Sequence, residues 1–193
     1  MTADPPPASL TDAVPLVGGV QIRPFAESDA KALAAAYSRN RDHLQPWEPT
    51  RPDVFYTAEG QLARLREQEE ERRGGRLMAW MLWEDGQIIG TVSLVGMVRG
   101  PFHSANLGYW IAADQVGRGL ATTTVRAVCQ TADQRMRLHR LQATTMLANA
   151  RSQRVLAKCG FHPIGKAERY LHIDGAWRDH LIFQLILNDR PPS

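Results

Sequence analysis

Two polar residues three apart, Asn149 and Ser152, and a turn built on Gly117 and Gly119 are the parts of this sequence best suited to hold a ligand. Across residues 110–124 an apolar strand ends at Trp110-Ile111 and Val116-Gly117-Arg118-Gly119 turns the chain. A helix then opens at Leu120, with Thr124, Ala127 and Val128 recurring at helical spacing. Such a strand, turn and helix start gathers backbone N–H groups at the positive end of a helix dipole. That is a phosphate site made without charged side chains. The dinucleotide fingerprint needs a third glycine where Thr122 stands, and the nucleotide P-loop needs Lys and Ser or Thr where Leu120 and Ala121 stand. Neither motif is present. Asn149 is suited to cap the next helix, which leaves Ser152 in its first turn and on the same side; capping accounts for Asn149 with or without a ligand.

Other candidates carry two readings each. Trp47 and Glu48, framed by Pro46 and Pro49 in a loop over residues 40–49, can line a pocket that receives an amine, or can be a core anchor and a solvated carboxylate. His103 either faces substrate or makes a structural hydrogen bond. The basic run over residues 135–140 either meets phosphates, of a coenzyme or of RNA, or is a solvated helix end favourable to the dipole. Cys129 and Cys159 fall in apolar helical stretches and read as buried free thiols. The acidic run over residues 67–71 reads as a solvated helix face, so no metal is expected.

The elements that must position these residues follow from periodicity. A chain of 193 residues with 44% hydrophobic content supports one domain with a substantial core, and a formal charge of +3 is too mild to dictate a partner. Residues 1–19, with three consecutive prolines and neither a basic start nor an apolar block, read as a flexible arm rather than a signal peptide. One domain is expected over residues 20–189, with residues 190–193 as a tail and no membrane span. Strands are expected at 20–25, 77–83, 87–95, 106–112, 141–146, 161–173 and 177–187, with Asp85-Gly86 and Asp174-Gly175 as hairpin turns. A turn over 97–103 leads into the central strand. Helices are expected from Ser28 or Asp29 to Tyr37, over 58–73, from Leu120, and from Asn149 to a stop at Gly160. The result is a mixed α/β (α+β) layout without internal repeats.

This order, and the loop Val116-Gly-Arg-Gly-Leu-Ala121, resemble the GNAT N-acetyltransferases, whose acyl-coenzyme A pyrophosphate loop reads Q/R-x-x-G-x-G/A. Further segments narrow the resemblance to the RimJ/RimL ribosomal-protein N-terminal acetyltransferases, and to the RimJ branch. They are Asn40-Arg-Asp-His-Leu-Gln-Pro-Trp-Glu-Pro49, Val98-Arg-Gly-Pro-Phe-His103 with Leu107-Gly-Tyr109, Asn149-Ala-Arg-Ser152, Cys159-Gly-Phe161 and Tyr170-Leu-His-Ile-Asp-Gly-Ala-Trp-Arg-Asp-His180. Val116 departs from the Gln or Arg usual in that loop. Leu171 stands where the RimL branch has a carboxylate, so a base cannot be carried over.

The resemblance implies a GNAT fold: a central mixed, mostly antiparallel sheet, splayed at the acetyl-CoA site and flanked by helices. It implies acetyl-CoA as co-substrate, gripped by Tyr109, Trp110 and Ile111 and by Val116, Gly117, Arg118, Gly119, Leu120, Ala121 and Thr122, with Asn149 tethering the pantetheine arm. Ser152 would serve the leaving thiolate. The acceptor would be the N-terminal α-amine of a ribosomal protein beginning with alanine, met in the cytoplasm, on or off the ribosome. No direct nucleic-acid motif is present, and oligomeric state is not specified.

A free α-amine has a pKa of about 7.7–8.0, so a usable fraction is neutral near pH 7 and a weak base or a water chain suffices. Glu48 is the first candidate base, with Glu168 and His103 next and Trp47 beside them on the acceptor side. Neither cysteine has a His partner in sequence, so direct transfer is expected. Two rival functions fit the same pattern: acetylation of a small amine (an antibiotic, a polyamine or an aminoacyl-nucleotide), or a ribosome-associated assembly factor that holds coenzyme A structurally.

Overall fold

The computed structural model describes residues 12–191. The strands are β1 (Val14–Pro15), β2 (Gln21–Pro24), β3 (Leu77–Glu84), β4 (Gln87–Val98), β5 (Ser104–Ile111), β6 (Arg140–Met146), β7 (His162–Ile173) and β8 (Ala176–Ile186). The α-helices are α1 (Ala30–Arg39), α2 (Arg41–Leu44), α3 (Ala58–Arg73), α4 (Leu120–Gln134) and α5 (Ala150–Lys158). Among the described residues the strands join one sheet in the order β1-β2-β3-β4-β5-β6-β8-β7, and only the β5–β6 pair is parallel. Both expected hairpins close on left-handed turns, Asp85-Gly86 and Asp174-Gly175.

One pairing decides where a ligand can enter. β5 and β6 pair only over Ser104–Asn106 and Arg140–Gln142, although β5 runs on to Ile111 and β6 to Met146. β4 holds the other edge of β5 to its end, and β8 holds the other edge of β6 throughout. The two half-sheets therefore part, and a wedge opens between them.

Helices cover both faces. Trp80, Leu33, Leu65, Leu82, Ile88 and Leu94 are fully buried in one continuous core that also takes in Val125, Val128, Leu141 and Leu156 from the α4 and α5 side. Each aliphatic side chain so buried contributes about 1.5–3 kcal/mol. Along β5 the faces alternate. Trp110 donates its ring N–H to the Tyr37 hydroxyl of α1 at 3.2 Å, while Tyr109 turns the opposite way, toward α5.

Several expectations need correction. Residues 40–49 are not a plain loop: α2 and a 3-10 turn at Gln45–Trp47 fill most of it, and Pro46 sits in the first turn, where a missing N–H costs nothing. Within the stretch assigned to an arm, Val14–Pro15 pairs with β2; the rest of that assignment, residues 1–11, lies outside the described residues. Arg190, assigned to the tail, is ion-paired with Asp133 instead, and residues 192–193 lie outside the description. β4 continues past Val95 through a bulge to Val98, because Gly96 takes a left-handed φ of +59° and lets pairing resume at Ser104. Asp29 does not cap α1 through its side chain. Its carboxylate accepts the Ala26 N–H at 2.8 Å and the Arg23 guanidinium at 2.6 and 2.9 Å. Cys159 lies at the end of α5 and is half-buried, whereas Cys129 is buried as expected.

The start of α3 shows how tightly the segment before it is seated. Thr57 accepts the Gly60 N–H at 3.1 Å and donates to the Val54 carbonyl at 2.9 Å. A Cβ on Gly60 would fall 1.9 Å from that same carbonyl oxygen. Helix propensity alone predicts that Gly60→Ala stabilises by about 0.5–1 kcal/mol. The clash reverses the sign, with an expected loss of about 1–3 kcal/mol. Thermal unfolding should show Tm falling by roughly 2–4 °C for each kcal/mol lost; an unchanged or raised Tm would show that the segment yields freely.

Candidate active site

The wedge is lined first by backbone. Ala112 donates its N–H to Ile89 of β4 at 2.8 Å, so by strand alternation the even-numbered residues of β5 direct their backbone groups to β4. The odd-numbered residues Tyr109 and Ile111 direct theirs to the open edge. The edge stops at His43 of α2, whose Nε2 lies 3.2 Å from the Ile111 carbonyl oxygen. α2 is fixed there by buried Asn40, which accepts the Ala113 N–H at 2.8 Å and donates to Ala36 at 2.9 Å. Of the expected strand residues, Tyr109 and Ile111 thus border the wedge. Trp110 does not: its side chain belongs to the core behind α1 and its backbone to β4.

The mouth of the wedge holds the start of α4. Gly117 and Gly119 adopt left-handed φ values of +89° and +79°, which an L-residue reaches only at a cost of about 1–2 kcal/mol. Gly119 is the N-cap and brings no side-chain hydrogen bond, so the N–H groups of the first turn, around Leu120, Ala121 and Thr122, lack partners within the helix. Leu120 is buried and anchors that turn, and Val116 is exposed. The Arg118 side chain points elsewhere. It grips Glu84 at 2.7 and 2.8 Å and also meets Gln115 and the Gly18 carbonyl. Hydrogen bonding to Arg118 holds the Glu84 carboxyl below its ordinary range. An anion at this turn would therefore meet main-chain dipoles rather than the Arg118 side chain.

At the inner end of the wedge Asn149 accepts the Ser152 N–H at 3.0 Å, the expected capping bond of α5. Ser152 Oγ lies 2.9 Å from the Tyr109 hydroxyl, which also reaches the Ser152 carbonyl at 3.4 Å. Burial pushes the Tyr109 phenol up to about 12, against the hydrogen bond to Ser152, so it stays protonated at any working pH. The sequence pointed to Ser152 and to the Tyr109 backbone; it held no signal for the side-chain pair, because 43 residues separate the two. Cys159 lies nearby, its Sγ 3.5 Å from the Thr122 carbonyl. Burial raises the Cys159 thiol and pushes the Cys129 thiol up to about 12, so neither is poised as a nucleophile.

On the other side of α2, Tyr37, Arg41, Leu44, Glu48, Arg51 and Tyr56 line a cavity of about 140 Å³. Burial raises the Glu48 carboxyl above its ordinary range, opposed by the charges of Arg51, 3.8 Å away, and Arg64. Trp47 stands at the surface beside it, 38% exposed, and is no core anchor. The tip of the β7–β8 hairpin docks here: Asp174 donates its N–H to the Glu48 carbonyl at 3.3 Å, and Gln45 reaches the Asp174 carboxylate at 3.2 Å. The other two candidate bases are not brought in. His103 is buried in the turn before β5, at the closed end of the wedge; its Nδ1 lies 3.3 Å from the Gly100 carbonyl, and its own carbonyl accepts the His139 and Arg140 N–H groups. Glu168 lies in the bulge of β7 on the far side of β8, its side chain 80% exposed and 3.6 Å from Lys166. His43 was missed because nothing in its spacing marks it; only the fold brings it to the strand edge. Among the described residues no group of three or more His, Cys, Asp or Glu gathers to hold a metal ion.

The acetyltransferase (GNAT) domain family matches residues 20–162. The probable N-acetyltransferase YjcK of Bacillus subtilis is 34% identical over 172 residues, covering 88% of this chain and 95% of its own. The [ribosomal protein uS5]-alanine N-acetyltransferase of Escherichia coli is 36% identical over 174 residues, covering 89% and 90%. Among solved structures, Mycobacterium smegmatis RimJ in complex with CoA-disulfide superposes with a TM-score of 0.85 at 32% identity, over 90% of this chain and 86% of that one.

Burial of Glu48 also makes a statement about stability. Its carboxyl titrates higher in the folded chain than in the unfolded one, where the pKa is about 4.3. The stability this group contributes is full below that value and is lost as pH rises through the folded pKa. Glu48→Gln, which removes the ionisation, should therefore match or exceed the wild type in Tm at pH 7, with the difference fading at pH 4. Thermal melts across that range check the sign; a Gln variant less stable at pH 7 would mean that attraction to Arg51 and Arg64 outweighs burial.

Proposed function

The chain belongs to the GNAT acetyltransferase family and is an acyltransferase, and from that premise we propose that it moves the acetyl group of acetyl-CoA directly to the N-terminal α-amine of a ribosomal protein that begins with alanine. The observation that carries the reading is the Tyr109–Ser152 hydroxyl pair, set against the open edge of β5. The start of α4 takes the pyrophosphate through the main chain at Val116 to Thr122, and the unpaired backbone of Tyr109 and Ile111 pairs with the pantetheine arm as a further strand would. The relative from M. smegmatis is described with coenzyme A bound, which supports that ligand.

Each group then has one task. The neutral amine attacks the thioester carbonyl, the C–N bond forms, and the β5 N–H groups stabilise the negative charge gathering on oxygen. As the C–S bond breaks, Ser152 donates a hydrogen bond to the sulfur. Tyr109, held protonated and 2.9 Å away, donates to Ser152 in turn and keeps its own proton. The proton shed by the attacking nitrogen goes to Glu48 or to solvent, and the departing thiolate is protonated from water. A free thiol has a pKa of about 8.5, so stabilisation of the thiolate matters more than a strong acid. Asn149 holds Ser152 in register. On the acceptor side Glu48 receives the ammonium, and its raised pKa brings it nearer to the range of a useful base. Trp47 flanks the approach. Direct transfer is supported by the raised pKa of both thiols.

The E. coli relative is named for uS5 and alanine, which supports that acceptor. The test is turnover of the purified protein with acetyl-CoA and peptides beginning with Ala, Ser, Thr or Met, beside a panel of small amines, read by intact mass. Selective acetylation of the alanine peptide is expected. Ser152→Ala should lower kcat by about 10²-fold, Tyr109→Phe less, and Cys129→Ala and Cys159→Ala should leave turnover intact. Turnover of small amines alone would overturn the acceptor, and coenzyme binding without any turnover would favour an assembly role.

A further inference from the structure

At the end of the sheet away from the wedge, segments that carry four arginines and a phenylalanine come together. Arg99 and Phe102 come from the turn between β4 and β5, Arg135 from the C-cap of α4, Arg137 from the connection beyond it, and Arg140 from the first position of β6. Specific contacts tie them together. Arg99 donates to the Met136 carbonyl at 2.5 Å, the Arg140 guanidinium lies 5.9 Å from the Phe102 ring, and the His103 carbonyl accepts the N–H groups of His139 and Arg140 at 2.9 and 3.3 Å. The dipole of α4 accounts for Arg135 alone, since that field fades within the last turn; the other segments do not belong to that helix.

The charge of this face is not spent internally. Among the described residues none of the four arginines forms an ion pair. Arg99, Arg135 and Arg137 are exposed, and Arg140 keeps a buried Nε without a partner. Of the neighbouring carboxylates, Asp133 is taken by Arg190 and Asn188, and Asp189 is the exposed one. The arginines at the adjacent end of α3 are different: Arg72 and Arg73 pair with Glu69, and Arg76 with Glu71. Phe102 is 54% exposed amid these cations and Val98 is 47% exposed beside Arg99.

We propose that this face, built by Arg99, Phe102, Arg135, Arg137 and Arg140, binds the phosphate backbone of structured RNA. Guanidinium forks match phosphate bidentately, and an exposed ring beside them offers a stacking surface to an unpaired base; a polyanion with no π-faces would leave Phe102 unused. With a formal net charge of only +3, the attraction is local to this face rather than a property of the whole molecule. The face is also separate from the coenzyme loop. The eight residues of β5 lie between the two, roughly 23 Å at strand rise. Bound RNA would therefore leave the wedge and its Glu48 side open, and this inference does not depend on which amine is acetylated.

The test is fluorescence anisotropy with a labelled RNA hairpin that carries a single-stranded loop, titrated with the full chain over a range of salt. Arg135→Glu with Arg137→Glu should weaken binding at least 10-fold and reduce the salt slope by about 1.4–1.8. Phe102→Ala should weaken binding without changing that slope. Acetyl-CoA-dependent turnover should stay at the wild-type level in both. If the double reversal melts early, Arg137→Gln alone serves, with an expected slope change of about 0.7–0.9. The proposal fails if RNA affinity is unchanged by these substitutions, or if free coenzyme A displaces the RNA. Binding of anionic vesicles or of an acidic peptide in preference to the hairpin would likewise assign the face to another partner.

Discussion

The parting of β5 from β6 after Asn106 is the constraint on which the rest of the site depends. An open strand edge leaves backbone N–H and C=O groups without partners in the sheet. β5 keeps such an edge because each neighbour is committed elsewhere: β4 pairs with its other side to the end, and β6 follows β8. The α5 start, with Ser152 on the Tyr109 hydroxyl, stands in the opening that results. His43 closes the edge at Ile111. A ligand with amides of its own can complete this edge, and that is the physical basis for assigning it to the pantetheine arm.

Strand alternation lets one segment serve two purposes. Trp110 is packed against Tyr37, ring centroids 5.2 Å apart, and Tyr37 against Phe55 at 4.7 Å, so the strand is held by the core under α1. Tyr109, the adjacent residue, faces the wedge. The rigidity of one side thus sets the position of the other, and a repacking of Trp110 would displace Tyr109 and Ile111 with it. Glu48 sits under two opposed influences: burial disfavours its charged form, and the charges of Arg51 and Arg64 favour it.

Much of the layout was legible because the local signals agreed. The Asp-Gly turns, the start of α4 at Leu120, the capping bond of Asn149 and the stop at Gly160 are each set by residues within a turn of the event, and each stands as expected. The reading of residues 40–49 went wrong because two prolines suggested a loop, while short helical turns tolerate proline in their first positions. His103, Glu168 and Trp110 were grouped with the site on the strength of residue type and resemblance. The fold places one in a structural turn, one on the far side of β8 and one in the core.

By itself the sequence determined the order of the elements apart from β1 and α2, the glycine-built turn before α4 and the pairing of Asn149 with Ser152, because periodicity, left-handed turns and helix caps act over a few neighbouring residues. Only the tertiary structure decided that Tyr109 meets Ser152, that His43 ends the β5 edge, that Glu48 is half-buried beside Arg51, and that the segments carrying Arg99, Arg137 and Arg140 come together. Those relations span from three to 68 residues of chain. They depend on which strands pair, for how long, and where the pairing stops.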